Sequence, residues 1–217
     1  MLWKEPKRFP SIPKTGLEAH YPLTTEYVSG TTAEDSSGNN KDGTTNGGPT
    51  TEDSGTTFDG TDDIIDIPYF SGMENQFSIA AKVTWGSGHD GKEQAVGLFD
   101  GNDAFLGKDN DYSGDTPIGF IWDGSPNYAE AANSISTGTT RTYATTWDGS
   151  TLSMYEDGNF SDSTSVSNMY SRSDGNTIGG TADPSRDRYF TGELAYVALY
   201  DRALSSSEVS TYHDEVM

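Results

Sequence analysis

The 217 residues contain no cysteine. Disulfides, thiolate metal sites and cysteine nucleophiles are therefore excluded, and the redox compartment cannot be read from the chain. Long apolar runs are missing too. A membrane-spanning helix needs about 20 consecutive apolar residues. Here hydrophobic residues make up only 32% of the chain and are broken every few positions by Gly, Thr, Ser or Asp. That excludes membrane insertion by a helix, and the same punctuation argues against long amphipathic helices. Basic residues are scarce: 13 Lys and Arg stand against 34 Asp and Glu, a net charge of −21. A surface of that sign repels phosphate backbones, so no nucleic-acid partner is expected. The opening Met1-Leu2-Trp3-Lys4-Glu5-Pro6 holds no apolar run of signal-peptide length, so a secretory signal is expected to be missing or already removed.

High charge with low hydrophobicity is the composition of a disordered chain. The 4 Trp, 12 Tyr and 9 Phe argue otherwise, because they fall inside alternating segments that only a packed core explains. The length suits one domain. The acid excess then reads as the solvation shell of a protein from a salt-loving source, where concentrated ions screen self-repulsion.

Residues 1–15 differ from the rest. They carry Lys4, Lys7, Arg8 and Lys14, three prolines, and the aromatics Trp3 and Phe9. Prolines so spaced favour extended chain. The segment is either a terminus that frays or folds back, or an assembly arm. In the second case Trp3, Lys4, Lys7, Arg8 and Phe9 dock on an acidic neighbour such as another copy of the chain. Residues 16–217 form the domain proper.

From residue 16 onward the signals are all-β. Residues 17–23 read as a first strand, and 24–56 as a long polar stretch with turn clusters. In Phe77-Ser78-Ile79-Ala80-Ala81-Lys82-Val83-Thr84-Trp85, one face carries Phe77, Ile79, Ala81, Val83 and Trp85 at period two. Residues 95–99, 118–122 and 141–147 are further strands. Asp148-Gly149 and Asp157-Gly158 mark hairpin turns around a strand at 152–155. Residues 192–200 are apolar on both faces, as in a central strand. One helix is expected, at the tail, where Ser205 and Glu208 form a capping box before Val209, Tyr212 and Val216 at helical spacing. Two antiparallel sheets packed face to face, with a short C-terminal helix, fit this count.

The order of segments carries a family resemblance. Ala19-His20-Tyr21-Pro22-Leu23 precedes Asp35-Ser36-Ser37-Gly38-Asn39-Asn40-Lys41-Asp42-Gly43 and Thr57-Phe58-Asp59-Gly60-Thr61-Asp62-Asp63. Phe77-Ser78-Ile79-Ala80-Ala81-Lys82-Val83, Thr146-Trp147-Asp148-Gly149 and Ile178-Gly179-Gly180 follow. Phe190-Thr191-Gly192-Glu193-Leu194 and Leu199-Tyr200-Asp201-Arg202-Ala203-Leu204-Ser205 close the series. Over about residues 16–210 the chain resembles the laminin-G-like domains of the concanavalin A-like lectin/glucanase superfamily. The resemblance implies a jelly-roll sandwich. It also implies binding of carbohydrate, matrix or partner protein, often with calcium at the sandwich rim, and usually no catalysis. Family members often carry acidic residues in the last strand. Ala195 and Tyr196 stand there in this chain, so a rim calcium through Asp35 lacks that carboxylate.

The chemistry of enzymes is thin. The superfamily's glucanases use Glu-x-Asp-x-x-Glu, and no Glu here has Asp two residues later. A retaining glycosidase would need distant strands to bring two carboxylates about 5 Å apart. No Gly-x-Ser-x-Gly occurs, and His20, His89 and His213 are scattered. The segment 86–92 imitates a phosphate-binding loop without the following helix. Calcium is the candidate cofactor. Asp109, Asp111, Ser113 and, after Gly114, Asp115 match the first half of an EF-hand loop, although Phe120 stands where the bidentate Glu belongs. The alternative is an acidic hairpin in an acid-rich protein. For a ligand, Trp122, Asp123, Asn127 and Tyr128 form a loop with two aromatics and polar neighbours, suited to sugar faces and hydroxyls. Trp122 reads equally well as core.

The sequence thus points to a non-catalytic binding or adhesion module at an extracellular or virion surface. Its expected partners are a glycan or a cell-surface protein, and a homo-oligomer or larger assembly is expected. A carbohydrate-active enzyme is the alternative.

Overall fold

The computed structural model describes residues 11–88, 91–99, 103–170, 175–181, 183 and 186–217. The strands run β1 (Leu17–Pro22), β2 (Val28–Ser29), β3 (Thr32–Ala33), β4 (Gly43–Asn46), β5 (Thr50–Thr51), β6 (Thr56–Asp59), β7 (Ile64–Ile67), β8 (Phe77–Trp85) and β9 (Lys92–Leu98). They continue as β10 (Ala104–Asp109), β11 (Ile118–Trp122), β12 (Pro126–Glu130), β13 (Thr140–Trp147), β14 (Thr151–Glu156), β15 (Asn159–Ser165), β16 (Asn176–Ile178) and β17 (Thr191–Tyr200). Helix α1 (Ser206–Val216) follows. The first sheet has the order β15-β14-β13-β8-β17-β6-β5, with β1 paired to β17 alongside β6. The second has the order β12-β11-β10-β9-β16-β7-β4-β3-β2. Both are antiparallel, and they form the expected jelly-roll sandwich.

Alternation builds the interior. Phe77, Ile79, Ala81, Val83 and Trp85 of β8 all point into the space between the sheets. There they meet Leu194, Val197 and Leu199 of β17 and Val96, Leu98, Leu106 and Ile121 of the second sheet. Gly119 of β11 faces Thr145 of β13 across the two layers. A Cβ there would stand 2.0 Å from Thr145 Oγ1, so only glycine admits the contact.

The other face of β8 and β17 is apolar and small, with Ala80 and Ala198. Helix α1 lies over it with Val209, Tyr212 and Val216 inward, beside Tyr155, Tyr200 and Leu204. Tyr212 Oη donates to the Ala80 and Tyr196 carbonyls at 3.2 and 3.1 Å, so the ring is buried without losing its hydrogen bonds. The expected capping box is formed by Ser205 and Glu208. Arg202 grips Glu208 through Nη1 at 2.9 Å and Nη2 at 2.5 Å, which pulls that carboxyl down to about 2. At the far end Lys82 Nζ donates to the Val216 carbonyl at 2.8 Å, a cation at the negative end of the helix dipole.

Three sequence readings change in detail. The polar stretch 24–56 holds the short strands β2 to β5. Residues 104–109 form a strand, although Asp109 reads as the start of a loop. Residues 122–128, which read as a loop, are the turn and flanks of the β11–β12 hairpin. The arm residues Trp3, Lys4, Lys7, Arg8 and Phe9 lie outside the described residues. Of the arm's end, Ser11 N donates to Glu215 at 2.9 Å and Ile12 is buried beneath α1.

In β1, His20 is buried with its ring stacked on Tyr196 at 6.1 Å. Nδ1 is 2.7 Å from Ser36 Oγ, while Nε2 has no hydrogen-bond partner. Burial, with the charge of Lys14 adding and Asp35 opposing, pushes its pKa from 6.5 down to about 4. A depressed histidine stays neutral in the fold while the unfolded chain takes up a proton. Stability is then complete above the unfolded value and is lost as pH falls from about 6.5 towards about 4. Urea midpoints near pH 7 and near pH 4.5 are expected to reveal a loss on the order of 2–3 kcal/mol that shrinks in His20→Gln.

Candidate functional site

The first sheet is capped by α1. Among the described residues no helix covers the outer face of the second sheet, and the aromatics have collected there. Along β11 the alternation turns Ile118, Phe120 and Trp122 outward while Ile121 faces the core. Phe105 of β10 packs beside Phe120 with ring centroids 4.6 Å apart, and both rings are buried. Tyr128 of β12 stands directly across from Phe120 in the hairpin register. Tyr112, from the β10–β11 connection, stacks on both Phe120 (5.8 Å) and Tyr128 (5.5 Å). Trp122 and Tyr128 are half-buried in the same cluster. Tyr170 joins from a distant segment: its backbone N donates to the Trp122 carbonyl at 3.0 Å. Its ring is 52% exposed and would lie 3.6 Å from a Cβ at Gly124, which sits at φ 111°. A residue with a side chain would strain the hairpin turn there.

Of the four residues expected to bind ligand, Trp122 and Tyr128 share this face. Asp123 and Asn127 serve the turn. Asp123 Oδ1 accepts from Ser125 Oγ (2.9 Å) and Ser125 N (3.1 Å), and the Ser125 hydroxyl is the main reason its carboxyl lies below the usual range. Asn127 Nδ2 donates to the Ser125 carbonyl at 3.1 Å. Phe105, Tyr112, Phe120 and Tyr170 are not singled out by the sequence as site residues. Two cations edge the face: Lys92 Nζ lies 5.7 Å from the Tyr112 ring centre and Arg188 lies 5.6 Å from that of Phe105.

A laminin-G family model described as the concanavalin A-like lectin/glucanases superfamily matches residues 59–210. The chain belongs to that superfamily. No curated protein matches the sequence. Among solved structures, a sialidase of Trypanosoma rangeli in complex with sialic acid superposes with a TM-score of 0.74 at 18% identity. That match covers 94% of this chain but 34% of the sialidase, so the chain spans about a third of the enzyme's length. The binding domain of Paraclostridial Mosquitocidal Protein 1 gives a TM-score of 0.71 at 15% identity, covering 92% of this chain and 52% of that one. Domain 4 of a GH43 extracellular arabinanase from Geobacillus stearothermophilus, in complex with arabinotriose, gives 0.66 at 19% identity, covering 93% and 98%. At these identities the likeness is one of fold.

In this concanavalin A-like frame the acidic loops are held by protein partners. The Asp35 carboxylate accepts from His20 N (3.0 Å), Ser37 N (2.8 Å), Ser37 Oγ (2.8 Å) and Lys41 N (3.1 Å). These four donors occupy the lone-pair sites a rim calcium would need, so Asp35 does not fit that role. Asp109 is buried at the end of β10. Its Oδ1 is 3.4 Å from Lys92 Nζ and accepts from Asp111 N at 3.1 Å, and its Oδ2 is 3.5 Å from Arg188 Nη1. Asp111 pairs with the same Lys92. Burial works to lower the Lys92 pKa, but the bonds and charges of Asp111 and Asp109 outweigh it and hold the ammonium above its ordinary value. Asp115 turns away to the buried Lys108 at 2.8 Å, and Ser113 Oγ donates to the Thr116 carbonyl at 2.7 Å. The four expected ligands therefore do not converge on one point, and calcium would have to displace Lys92. Elsewhere, Asp59, Asp62 and Asp63 bring carboxylate oxygens within 4.8 Å of one another, close to a turn stapled by Asp59 N donating to Asp63 at 2.9 Å.

Removing Lys92 leaves the buried Asp109 short of a partner. Lys92→Ala is expected to cost roughly 1–3 kcal/mol in a denaturant titration. Millimolar calcium is expected to leave the melting temperature of the unmutated protein unchanged.

Proposed function

We propose that the chain is a non-catalytic carbohydrate-binding module that works outside the cell and takes a neutral oligosaccharide. The observation that carries this is the aromatic surface of Tyr112, Tyr128 and Trp122, backed by the buried Phe120 and joined by the exposed Tyr170, on the uncovered sheet. Sugar rings lay their C–H faces on such side chains, and a polar edge orients the hydroxyls. Asp123 and Asn127 stand at that edge. The net charge of −21 disfavours polyanionic glycans at a distance. The arabinanase domain, described with arabinotriose, shares the whole fold and supports a sugar ligand. That arabinanase is an extracellular enzyme, which supports a setting outside the cell for this chain as well.

The geometry favours binding over hydrolysis. Two clusters of carboxylates each hold a cation between them: Lys92 with Asp109 and Asp111, and Arg141 with Glu156 and Asp157. Neither pair is a free acid–base couple of the kind glycosidases use. On arabinotriose and a neutral-glycan array, Tyr128→Ala and Trp122→Ala are expected to weaken binding by about tenfold, some 1.4 kcal/mol. A protein that retains no neutral glycan on the array refutes the reading.

The acid excess and the basic, aromatic segment 1–15 favour a further reading, a surface component of a cell or virion in a salt-loving source. At about 3 M NaCl, where screening reaches only a few ångströms, the protein is then expected to melt higher than at about 0.1 M. Light scattering is expected to give a mass above the 23.4 kDa of one chain, falling when residues 1–15 are removed.

A further inference from the structure

We propose a second sugar site at the edge of the sandwich, beside the β14–β15 hairpin, which takes a single neutral ring. Its ligand class rests on the carbohydrate reading above, but its residues are independent of the Tyr128 face.

Phe160 is the first sign. It is 56% exposed on an edge strand whose other side chains are small or polar. It sits opposite Tyr155 in the strand register and meets that ring at 80°, which fixes its orientation. Tyr155 belongs to the helix side of the first sheet, so Phe160 opens away from Tyr128.

Beside Phe160 is a depression of about 180 Å³. Its walls are already set. Arg141 Nη1 bridges Glu156 Oε1 (3.0 Å) and Asp157 Oδ2 (2.6 Å). Asn133 holds Glu156 through its backbone N at 2.9 Å and Nδ2 at 3.2 Å. Asp157 Oδ1 accepts from Thr142 N at 3.0 Å. Side chains locked in this way lose little freedom when a ligand arrives.

Hydrogen-bonding capacity is left over. Arg141 Nε and Ser161 Oγ are buried in the lining without a partner. Asn133 and Asn159 spend their Nδ2 groups on Glu156 and the Asp157 carbonyl, and Oδ1 of each is left as an acceptor. Donors and acceptors mixed around an exposed ring suit hydroxyl groups, which are both at once. One guanidinium between two carboxylates leaves the site at −1, which turns away anions, while the guanidinium already fills the place a cation would take. The depression is small, which favours a single ring over an extended chain. Two separate sites would make the module bivalent, so weak single contacts combine on a polymer.

The test is an NMR titration of the whole chain with L-arabinose, D-galactose and D-glucose, and with N-acetylneuraminic acid as the anionic control. Saturable shifts of the Asn133 and Asn159 side-chain amides and the Phe160 ring are expected with at least one neutral sugar. These should weaken at least tenfold in Phe160→Ala, survive in Phe160→Tyr, and be unchanged in Tyr128→Ala. Phe160 is exposed, so an unchanged spectral dispersion verifies that the variant folds. Silence with all three neutral sugars, equal affinity in Phe160→Ala, or a preference for the anion overturns the proposal. Shifts confined to Tyr128 and Trp122 overturn it while sparing the first site. Shifts at Phe160 with none at Tyr128 do the reverse.

Discussion

Strands β8 and β17 have to be covered on both faces, and the rest of the molecule follows from that demand. Their large side chains face the second sheet. Their small ones, Ala80 and Ala198, leave room for α1. Helix α1 covers only one outer face, and among the described residues the second sheet covers itself. It does so with stacked rings, Phe105 under Phe120 and Tyr112 over Tyr128. Burial on one side of the sandwich thus creates an aromatic surface on the other. That surface is backed closely, because Gly119 lets Thr145 press against the inner side of β11, the strand that carries Phe120 and Trp122.

Scarce cations are the second organising feature. With 13 basic residues against 34 acidic ones, each Lys or Arg can be shared among several carboxylates. Lys92 serves Asp109 and Asp111, Arg141 serves Glu156 and Asp157, and Arg202 clasps Glu208 at the helix cap. Lys108 is fully buried against Asp115. Exposed pairs contribute little by themselves, but a buried one is costly to break because it strands a charge. These pairs therefore act as staples on loops that would otherwise repel one another. Two of these clusters, those of Lys92 and Arg141, border the two candidate sites.

How much is legible in the sequence depends on the range of the interaction. The period-two run 77–85, the doubly apolar 192–200 and the Ser205–Glu208 capping box are local patterns, and each can be read directly. The superfamily is readable from the order of several weak segments, none decisive alone. Strand β10 is hidden because Ala104, Phe105 and Leu106 face alternately into and out of the sandwich, so both faces look apolar, and because Asp109 doubles as the first oxygen of an EF-hand-like string. That string has the correct spacing of oxygens. It cannot reveal Lys92, which comes from the neighbouring strand, or Lys108, which draws Asp115 elsewhere. Trp122 and Tyr128 are visible because a single hairpin carries them. Tyr112 and Tyr170 are not, since they reach the same face from segments with no periodic signal.

An exposed aromatic face brings a hazard as well as a use. Contiguous apolar surface invites self-association, and a β-sandwich also offers edge strands. Here the exposed rings are those of Tyr170 and Phe160, and Phe160 stands on a strand whose other side chains are small or polar. The edge strand β15 carries Asp162, which accepts from Glu130 N at 3.1 Å and so ties the edge of one sheet to the edge of the other. The net charge of −21 keeps copies apart at low salt. The same charge that makes the chain look disordered by composition opposes the association of copies that carry exposed rings. A binding face of this kind and an acidic body are therefore two parts of one physical solution.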